Sequence, residues 1–151
     1  MTDERGGAAG WEVEFHDEFV EEFRRMDAEQ RVALLAAVTA LKARGPGAGR
    51  PLVGTLQNDS HPNMKELRYG AHGNTQVWRA LFAFDPRRHA IVLVAGEEQG
   101  ADEARFYKAL LRKANRRLDD HLRQAFRQGL QRQGRQRPAG FGAQGDAAED
   151  Q

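Results

Sequence analysis

The stretch from Met64 to Gly96 constrains the fold most, because it holds three runs of strand character in close succession. Each run is rich in aromatic, aliphatic or β-branched residues, and polar or Gly/Pro-containing breaks separate them. The runs are Met64–Tyr69, Gln76–Phe84 and Ala90–Ala95. The break from Asp85 to Arg88 suits a turn, since proline presets φ and aspartate can bond the backbone two residues on. The last two runs are therefore predicted to form a hairpin.

One residue of the middle run does not fit a buried strand. Alternation places Val77, Arg79, Leu81 and Ala83 on one face and Trp78, Ala80, Phe82 and Phe84 on the other. Every position suits burial except Arg79. A guanidinium in such a strand costs free energy unless it is paired or faces a site, so Arg79 becomes the centre of the functional question.

The rest of the chain adds one strand and three helices to these runs. The predicted elements are a strand over Trp11–Phe15, a helix capped by Asp17 and running to about Met26, a second from Asp27 with a capping box to Gln30 and a stop at Gly45, and a third from Asp102 to about Phe126. The order is β-α-α-β-β-β-α. Strands and helices without βαβ alternation predict an α+β fold, with a small, mostly antiparallel sheet packed by an N-terminal helical hairpin and a C-terminal helix.

The composition of the ends and of one internal connection sets the domain limits. Residues 1–10 read as a flexible N-terminus, and residues 129–151, rich in Gly, Gln, Arg and Ala, are predicted to be disordered. One domain is expected over residues 11–128. The connection from Gly45 to Pro62 is long and rich in Gly, Pro and polar residues, as functional loops often are.

Several function classes are excluded or disfavoured by the residues present. There are no cysteines, so disulfide and thiolate chemistry are excluded. No apolar run approaches a membrane span or a signal peptide, and a cytoplasmic protein is expected. The five histidines lie far apart in sequence, without a metal-ligand spacing. Gln99 occupies the place where a carboxylate-metal nuclease would carry lysine, so no metal and no cofactor are expected.

The net charge of +1 hides an asymmetry along the chain. Residues 1–30 carry ten acidic and three basic residues, a balance of −7, whereas residues 31–128 carry nine and seventeen, a balance of +8. Such a basic half fits a surface that meets phosphates, and it fits a solvated surface equally well. The last predicted helix carries a basic stripe that also fits either phosphate binding or a solvated surface. The stripe consists of Arg105, Lys108, Arg112, Arg116 and Arg123.

A set of cations and one phenol could cleave RNA without a metal. The reaction needs a base for the 2′-OH, positive charge on the phosphate and an acid for the leaving 5′-oxygen. The candidates for these roles are Lys65, Arg68, Arg79, Tyr107 and Lys108. Lys65 and Arg68 are three apart, so a regular strand points them to opposite faces unless a bulge intervenes. Alternatively, Arg79 is a structural residue paired with Glu66 or Glu97.

The ordered pattern of these residues resembles a known family. It comprises K-E-L-R at Lys65–Arg68, V-W-R-A-L-F-A-F-D-P-R-R at Val77–Arg88, an I-V-L-V strand, R-F-Y-K at Arg105–Lys108, and L-D-D-H-L at Leu118–Leu122. Over about Val13–Leu122 the chain resembles the RelE/HigB-like toxins of type II toxin-antitoxin systems, and within them the phage-derived Gp49-like branch. Members are small, metal-free endoribonucleases that cut mRNA in the ribosomal A site and are held inactive by an antitoxin, often a helix-turn-helix protein of the HigA type.

The resemblance implies roles for individual residues. Arg79 stands where the family keeps its phosphate-binding strand arginine, Lys65 and Arg68 lie in the basic strand before it, and Tyr107 or Lys108 lies in the C-terminal catalytic segment. The cations expected to contact RNA are Arg87, Arg88, Arg105, Arg112 and Arg116. Proton transfer is left open among Lys65, Tyr107 and Lys108.

One departure from the family keeps other functions open. Relatives place a cation in the loop after the last strand, whereas this chain has Glu97-Glu98, which would repel RNA phosphate. Three hypotheses follow: an mRNA-cleaving toxin, a non-catalytic member that inhibits a protein such as gyrase or only binds its antitoxin, and a small domain with a solvated basic face.

Overall fold

The computed structural model describes residues 11–85, 87, 89–100 and 102–136. The elements are β1 (Glu12–Phe15), α1 (Asp17–Arg24), α2 (Ala28–Arg44), a 3₁₀ turn (Gly45–Gly47), β2 (Val53–Thr55), β3 (Lys65–Ala71), β4 (Gln76–Asp85), β5 (His89–Glu97) and α3 (Glu103–Gln136). The α+β prediction is confirmed. No helix among the described residues is long and apolar enough to span a membrane.

The five strands form one sheet in the order β1-β5-β4-β3-β2. β1 runs parallel to β5, and the other neighbours are antiparallel. The β3–β4 pairing is regular from Lys65 opposite Phe82 to Ala71 opposite Gln76. The β4–β5 pairing shifts once, between Leu81 and Phe82. Regular pairing of β3 with β4 fixes which of their side chains share a face.

One face of the sheet carries the helical hairpin of α1 and α2. Leu67 and Phe82 on the sheet pack with Phe19 of α1 and with Leu34 and Leu41 of α2 in a single buried cluster. Leu34 and Leu41 lie two helical turns apart, so they share one side of α2. The predicted packing of an N-terminal helical hairpin on the sheet is confirmed.

The opposite face receives the beginning of α3. A methyl group built on Gly96 would lie 3.1 Å from Phe106 Cε1 and 3.2 Å from Leu110 Cδ2. The helix therefore approaches β5 as closely as it does because position 96 has no side chain. This face of β3, β4 and β5 is the one that carries Arg68 and Arg79.

Two element boundaries differ from the sequence-based expectation. The N-cap of α1 is His16, whose Nδ1 accepts the Glu18 N–H, whereas Asp17 had been expected. α3 continues to Gln136, beyond the predicted end at Phe126, because Gln, Arg and Leu are good helix formers and the two glycines in this stretch do not end the run. Residues 129–136, expected to be disordered, are thus helical. The predictions for residues 1–10 and 137–151 lie outside the described residues.

The strand β2 was missed within the Gly45–Pro62 connection. The strand has only three residues, Val53 to Thr55, which is too few to show an alternating pattern. It is defined by its pairing with β3, where these residues lie opposite Leu67, Glu66 and Lys65. The same connection is fixed further along by Asn58, whose Nδ2 donates to Asn115 Oδ1 of α3 at 2.9 Å. The predicted capping box of Asp27 with Gln30 and the stop at Gly45 are confirmed.

The chain divides into two units, residues 1–118 and residues 119–151. The sheet, the helical hairpin and the first four turns of α3 belong to the first unit. Every residue of the candidate site described below lies in that unit.

Candidate active site

An open groove lies where β3 and β4 approach their connecting turn. Its volume is about 430 Å³. Arg68 and Arg79, which are direct cross-strand partners, both line it. The full lining is Pro51, Arg68, Tyr69, Gly70, Asn74, Gln76, Val77 and Arg79. The groove thus brings together two of the five candidate catalytic residues.

Arg79 is held by two carboxylates, one on β3 and one directly after the end of β5. Its Nη1 donates to Glu66 Oε2 at 3.0 Å, and its Nη2 donates to Glu98 Oε1 at 2.7 Å. Nη1 also donates to the Tyr107 hydroxyl, and the guanidinium carbon lies 5.6 Å from the centre of the Tyr107 ring. The side chain is 11% exposed. Arg79 is therefore paired, as the structural alternative had proposed for Glu66.

Glu66 links the whole cluster through one carboxylate. Its Oε2 lies 2.9 Å from Arg68 Nε as well as 3.0 Å from Arg79 Nη1, and its Oε1 accepts the Tyr107 hydroxyl at 2.5 Å. The Glu66 side chain is only 6% exposed. Two guanidiniums facing each other across a strand pair would repel, and Glu66 offsets that repulsion.

The protonation of the cluster follows from burial and from these contacts. Burial, followed by the hydrogen bond to Glu66, raises the pKa of the Tyr107 phenol above its ordinary value. Burial opposes the charge of Arg79, yet Glu66, Tyr107 and Glu98 together hold the pKa of its guanidinium above its ordinary value. Tyr107 is thus neutral and a hydrogen-bond donor near neutral pH, so it suits an acid rather than a base.

Arg68 is the accessible cation of the cluster. Its side chain is 36% exposed, about three times the exposure of Arg79. Its Nε lies 2.9 Å from Glu66 Oε2, and among the described residues neither of its two Nη atoms makes an ion pair. A guanidinium fork matches two phosphate oxygens at once, so Arg68 offers the groove a phosphate contact.

Lys65 does not join this cluster. No bulge interrupts the β3–β4 pairing, so Lys65 lies on the face of Leu67 and Tyr69, opposite to Glu66 and Arg68. Lys108, next to Tyr107 on α3, is exposed to solvent. Of the candidate catalytic residues, Arg68, Arg79 and Tyr107 are in contact through Glu66, and Lys65 and Lys108 are not among these contacts.

The helix cations expected to contact RNA fall into two groups. Arg116 is in an ion pair with Glu18 of α1 at 2.8 Å, and its hydrogen bond is the first cause of the lowered pKa of Glu18, about 2. Arg105 lies 3.5 Å from Asp102 and remains largely exposed, as does Arg112. The acidic helix α1 therefore neutralises part of the basic helix α3.

Arg87 lies at the far end of the hairpin from the groove. Six residues of strand separate Arg79 from Asp85, a span of about 20 Å. Arg87 Nη2 donates to Asp85 at 3.0 Å, and the Asp85 carboxylate also accepts the Arg87 and His89 N–H groups, as predicted for this turn. Arg88 lies outside the described residues.

Of the two carboxylates that contact Arg79, Glu66 was among the partners considered from sequence, whereas the other was assigned to Glu97 and is Glu98. Glu66 precedes Arg68 by two, so strand periodicity places both on one face. Glu98 follows Gly96 by two, and Gly96 is the partner of Arg79, so Glu98 and not Glu97 faces the guanidinium. Arg117 was also missed: it is buried and donates to Glu22 and to the Leu93 carbonyl.

Comparison with known proteins adds sequence evidence to this geometry. The family described as Phage derived protein Gp49-like matches residues 21–119. In Mycobacterium tuberculosis, a candidate toxin named HigB2 is 41% identical over 99 residues, which are 66% of this chain and 48% of the relative. A candidate toxin named HigB3 is 37% identical over 78 residues, 52% of this chain and 65% of the relative. No solved structure matches the chain significantly.

A mostly antiparallel sheet between an N-terminal helical hairpin and a C-terminal helix, with an arginine-lined groove, defines a RelE-like protein. The chain belongs to the phage-derived Gp49-like family and is similar to HigB toxins. It spans about half the length of one of these relatives and about two thirds of the other.

Proposed function

We propose that the chain is the toxin of a type II toxin-antitoxin system and acts as a metal-independent mRNA endoribonuclease that inhibits translation and growth. The observation that carries this proposal is the meeting of Arg68, Arg79 and Tyr107 around Glu66, with the two arginines lining one open groove. Similarity to two candidate HigB toxins supports the biological role.

The groove would bind the scissile phosphate through its two arginines. Arg68 is the more exposed of the two, at 36% against 11%, so it makes the first contact. Arg79 joins when a phosphate oxygen replaces Glu98 at Nη2. Glu98 is the more exposed of the two carboxylates that contact Arg79. The 24% exposure of Glu98, against 6% for Glu66, makes Glu98 the partner that can leave. The pair then stabilises the charge of the pentacoordinate phosphate.

The proton transfers can be assigned to groups around that phosphate. The released Glu98 carboxylate accepts the proton of the 2′-OH while the 2′-oxygen bonds to phosphorus. The bond from phosphorus to the 5′-oxygen breaks, and the Tyr107 hydroxyl gives that oxygen its proton and is later reprotonated from water. The raised pKa of Tyr107 fits an acid that stays protonated until it acts. The products are a 2′,3′-cyclic phosphate and a 5′-hydroxyl.

The partners of this activity are proposed from the same family likeness. A cognate antitoxin of the helix-turn-helix, HigA-like kind would hold the protein inactive, and the substrate would be mRNA in the ribosomal A site. The exposed cations Arg105, Lys108 and Arg112 on α3 are available to ribosomal or messenger RNA phosphates. Cleavage is expected to depend on the ribosome.

Induced expression in a bacterial host tests the proposal. Wild type, Arg68→Ala and Arg25→Ala are compared, where Arg25 is an exposed cation outside the groove. Growth and primer extension on total mRNA are measured after induction. Wild type and Arg25→Ala are expected to stop growth and to give new 5′ ends within coding regions, whereas Arg68→Ala is expected to do neither.

The proposal fails if wild type leaves growth and mRNA unchanged while soluble protein accumulates. A lysine at position 68 provides a second comparison. Arg68→Lys keeps the charge and loses the fork, so it is expected to recover only part of the cleavage.

A non-catalytic toxin is the second candidate function, and the carboxylate pairing of Arg79 favours it. Glu66 and Glu98 together neutralise Arg68 and Arg79, so the cluster as it stands has no excess positive charge. Such a protein would act by binding a protein target such as gyrase, or would only bind its antitoxin. Growth arrest with intact transcripts and altered plasmid supercoiling would identify the gyrase-directed alternative.

A further inference from the structure

The wall of the groove beyond the two arginines is formed by the β3–β4 turn and its residue Asn74. Among the described residues, no hydrogen bond involves the Asn74 side-chain amide, and the residue is exposed. The amide offers one acceptor and two donors. It lies in the groove whose other lining includes Arg68, Arg79 and Val77.

The backbone of the turn holds Asn74 in a fixed position. Three successive residues have left-handed φ angles, 52° at His72, 65° at Gly73 and 67° at Asn74. Thr75 closes the turn, because its N–H and its hydroxyl both donate to the His72 carbonyl. The His72 ring in turn contacts Asp27 at 2.8 Å and Glu29 at 2.9 Å at the start of α2. The turn is thus closed internally and tied to a helix.

Gly70 determines where the Asn74 amide lies. A methyl group built on Gly70 would lie 2.2 Å from Asn74 Oδ1 and 3.1 Å from its Cγ. The amide therefore rests directly over the bare backbone of β3. Gly70 follows Arg68 by two on the same face of the strand, so the amide lies beside the guanidinium end of the groove.

The rest of the groove lining includes one exposed apolar side chain, that of Val77. Val77 precedes Arg79 by two on the same face of β4, and 47% of it is exposed. An exposed valine beside a hydrogen-bonding amide can support the flat face of a nucleobase. A groove volume of about 430 Å³ falls within the usual range of small-ligand sites and can hold one nucleotide.

We propose that Asn74 reads the base next to the scissile phosphate and so sets the sequence preference of cleavage. This inference rests on the proposed function. Arg68 and Arg79 hold the phosphate, the base lies over Val77, and the Asn74 amide pairs with a donor and an acceptor on the base edge. Single-stranded RNA is commonly read in this way, by hydrogen bonds to the edges of unstacked bases.

Mapping of cleavage sites on a translated mRNA library tests the proposal. Two test variants are compared with wild type: Asn74→Leu removes both hydrogen-bonding groups, and Gly70→Ala keeps the amide and displaces it. Two further variants serve as controls. Asn63→Ala changes an exposed asparagine in another turn, and Gly49→Ala adds a methyl group that meets nothing within 4 Å. The measured quantity is the ratio of cleavage at the preferred base to cleavage at the other three.

Asn74→Leu and Gly70→Ala are expected to reduce that ratio about tenfold, the size of effect typical of one paired base contact, while total cleavage falls much less. Both controls are expected to keep the wild-type ratio. Asn74→Asp, which can only accept at neutral pH, is expected to shift the preference toward bases that present an amino group.

An unchanged preference in Asn74→Leu, with cleavage retained, overturns the inference and leaves the proposed function intact. Absence of cleavage by wild type overturns the proposed function itself, and the inference with it. Loss of all cleavage in Asn74→Leu, with a native circular dichroism spectrum, would assign Asn74 to catalysis or folding of the groove and would also overturn a role in base selection.

Discussion

Arg68 and Arg79 face each other directly across β3 and β4, so two guanidiniums share one side of the sheet. Glu66 contacts both and is almost fully buried. The arrangement depends on that carboxylate, because removing the charge of Glu66 would leave two like charges opposite each other.

Replacement of Glu66 by Gln is expected to lower the free energy of unfolding by about 3 kcal/mol, the low end for breaking a buried charge pair. Urea unfolding followed by circular dichroism measures the change. Asp59→Asn, at an exposed carboxylate of the Gly45–Pro62 connection, is the matched control and should be neutral. Equal stability of the two variants would contradict the central role of Glu66.

Replacement of Glu98 by Gln separates phosphate binding from chemistry. Loss of its charge weakens the contact with Arg79 Nη2, so RNA with a 2′-deoxy cleavage site is expected to bind about fivefold more tightly, as for a pair worth about 1 kcal/mol. The same variant lacks the proposed base, and its cleavage rate should fall about 100-fold. Glu97→Gln is the control, because Glu97 pairs with Trp78 on the other face. Unchanged binding and rate in Glu98→Gln would exclude both roles.

Alkaline titration tests the state of the two tyrosines. The chain contains only Tyr69 and Tyr107, and burial is the first cause of the raised pKa of both phenols. An unfolded phenol ionises near pH 10, so the stability that these groups contribute is complete below about pH 10 and is lost as the pH rises toward their folded values. Phenolate absorbance is therefore expected to appear together with unfolding.

The phenolate absorbance curve of Tyr107→Phe then reports Tyr69 alone. A phenolate that titrates near pH 10 in the wild type while the far-ultraviolet spectrum stays native would contradict the hydrogen bond between Tyr107 and Glu66.

Acid titration tests the contact between α1 and α3. The hydrogen bond from Arg117 is the first cause of the lowered pKa of Glu22. The stability from this contact is present above the unfolded pKa of about 4.3 and is lost as the pH falls through the lower folded value.

Glu22→Ala is expected to lower the free energy of unfolding by about 2 kcal/mol at pH 7. This is less than is usual for breaking a buried ion pair, because Glu22 is partly exposed to water. In strong acid the stabilities of the variant and wild type are expected to differ less. Glu21→Ala, whose carboxylate pairs only with Arg24 among the described residues and remains exposed, is the control. A deficit that does not depend on pH would point to packing and not to charge.

Periodicity predicted most of the fold and only part of the site. The spacing of Leu34, Val38 and Leu41 on α2 and the alternation along β4 come from side chains that meet one continuous core, so sequence reveals them. Strand β2 has three residues and exists only because β3 pairs with it. Local pattern contains no signal for such an element.

Candidate site residues were predictable by type and less so by partner. Arg79 stood out because a charge in an apolar strand needs an explanation, and Glu66 could be weighed as its partner. The Glu98 contact required the β4–β5 register, which shifts between Leu81 and Phe82. The separation of Lys65 from Arg68 follows from a pairing without a bulge, which a sequence leaves open.

Gly96 lets α3 rest on bare backbone of β5, and a methyl group at this position would force Phe106 and Leu110 to move by a few tenths of an ångström. Tyr107 follows Phe106 on the same helix, so the place of its hydroxyl beside Glu66 depends on that close approach. A substitution at Gly96 is therefore expected to disturb the contacts of Tyr107, although it replaces no residue of the cluster.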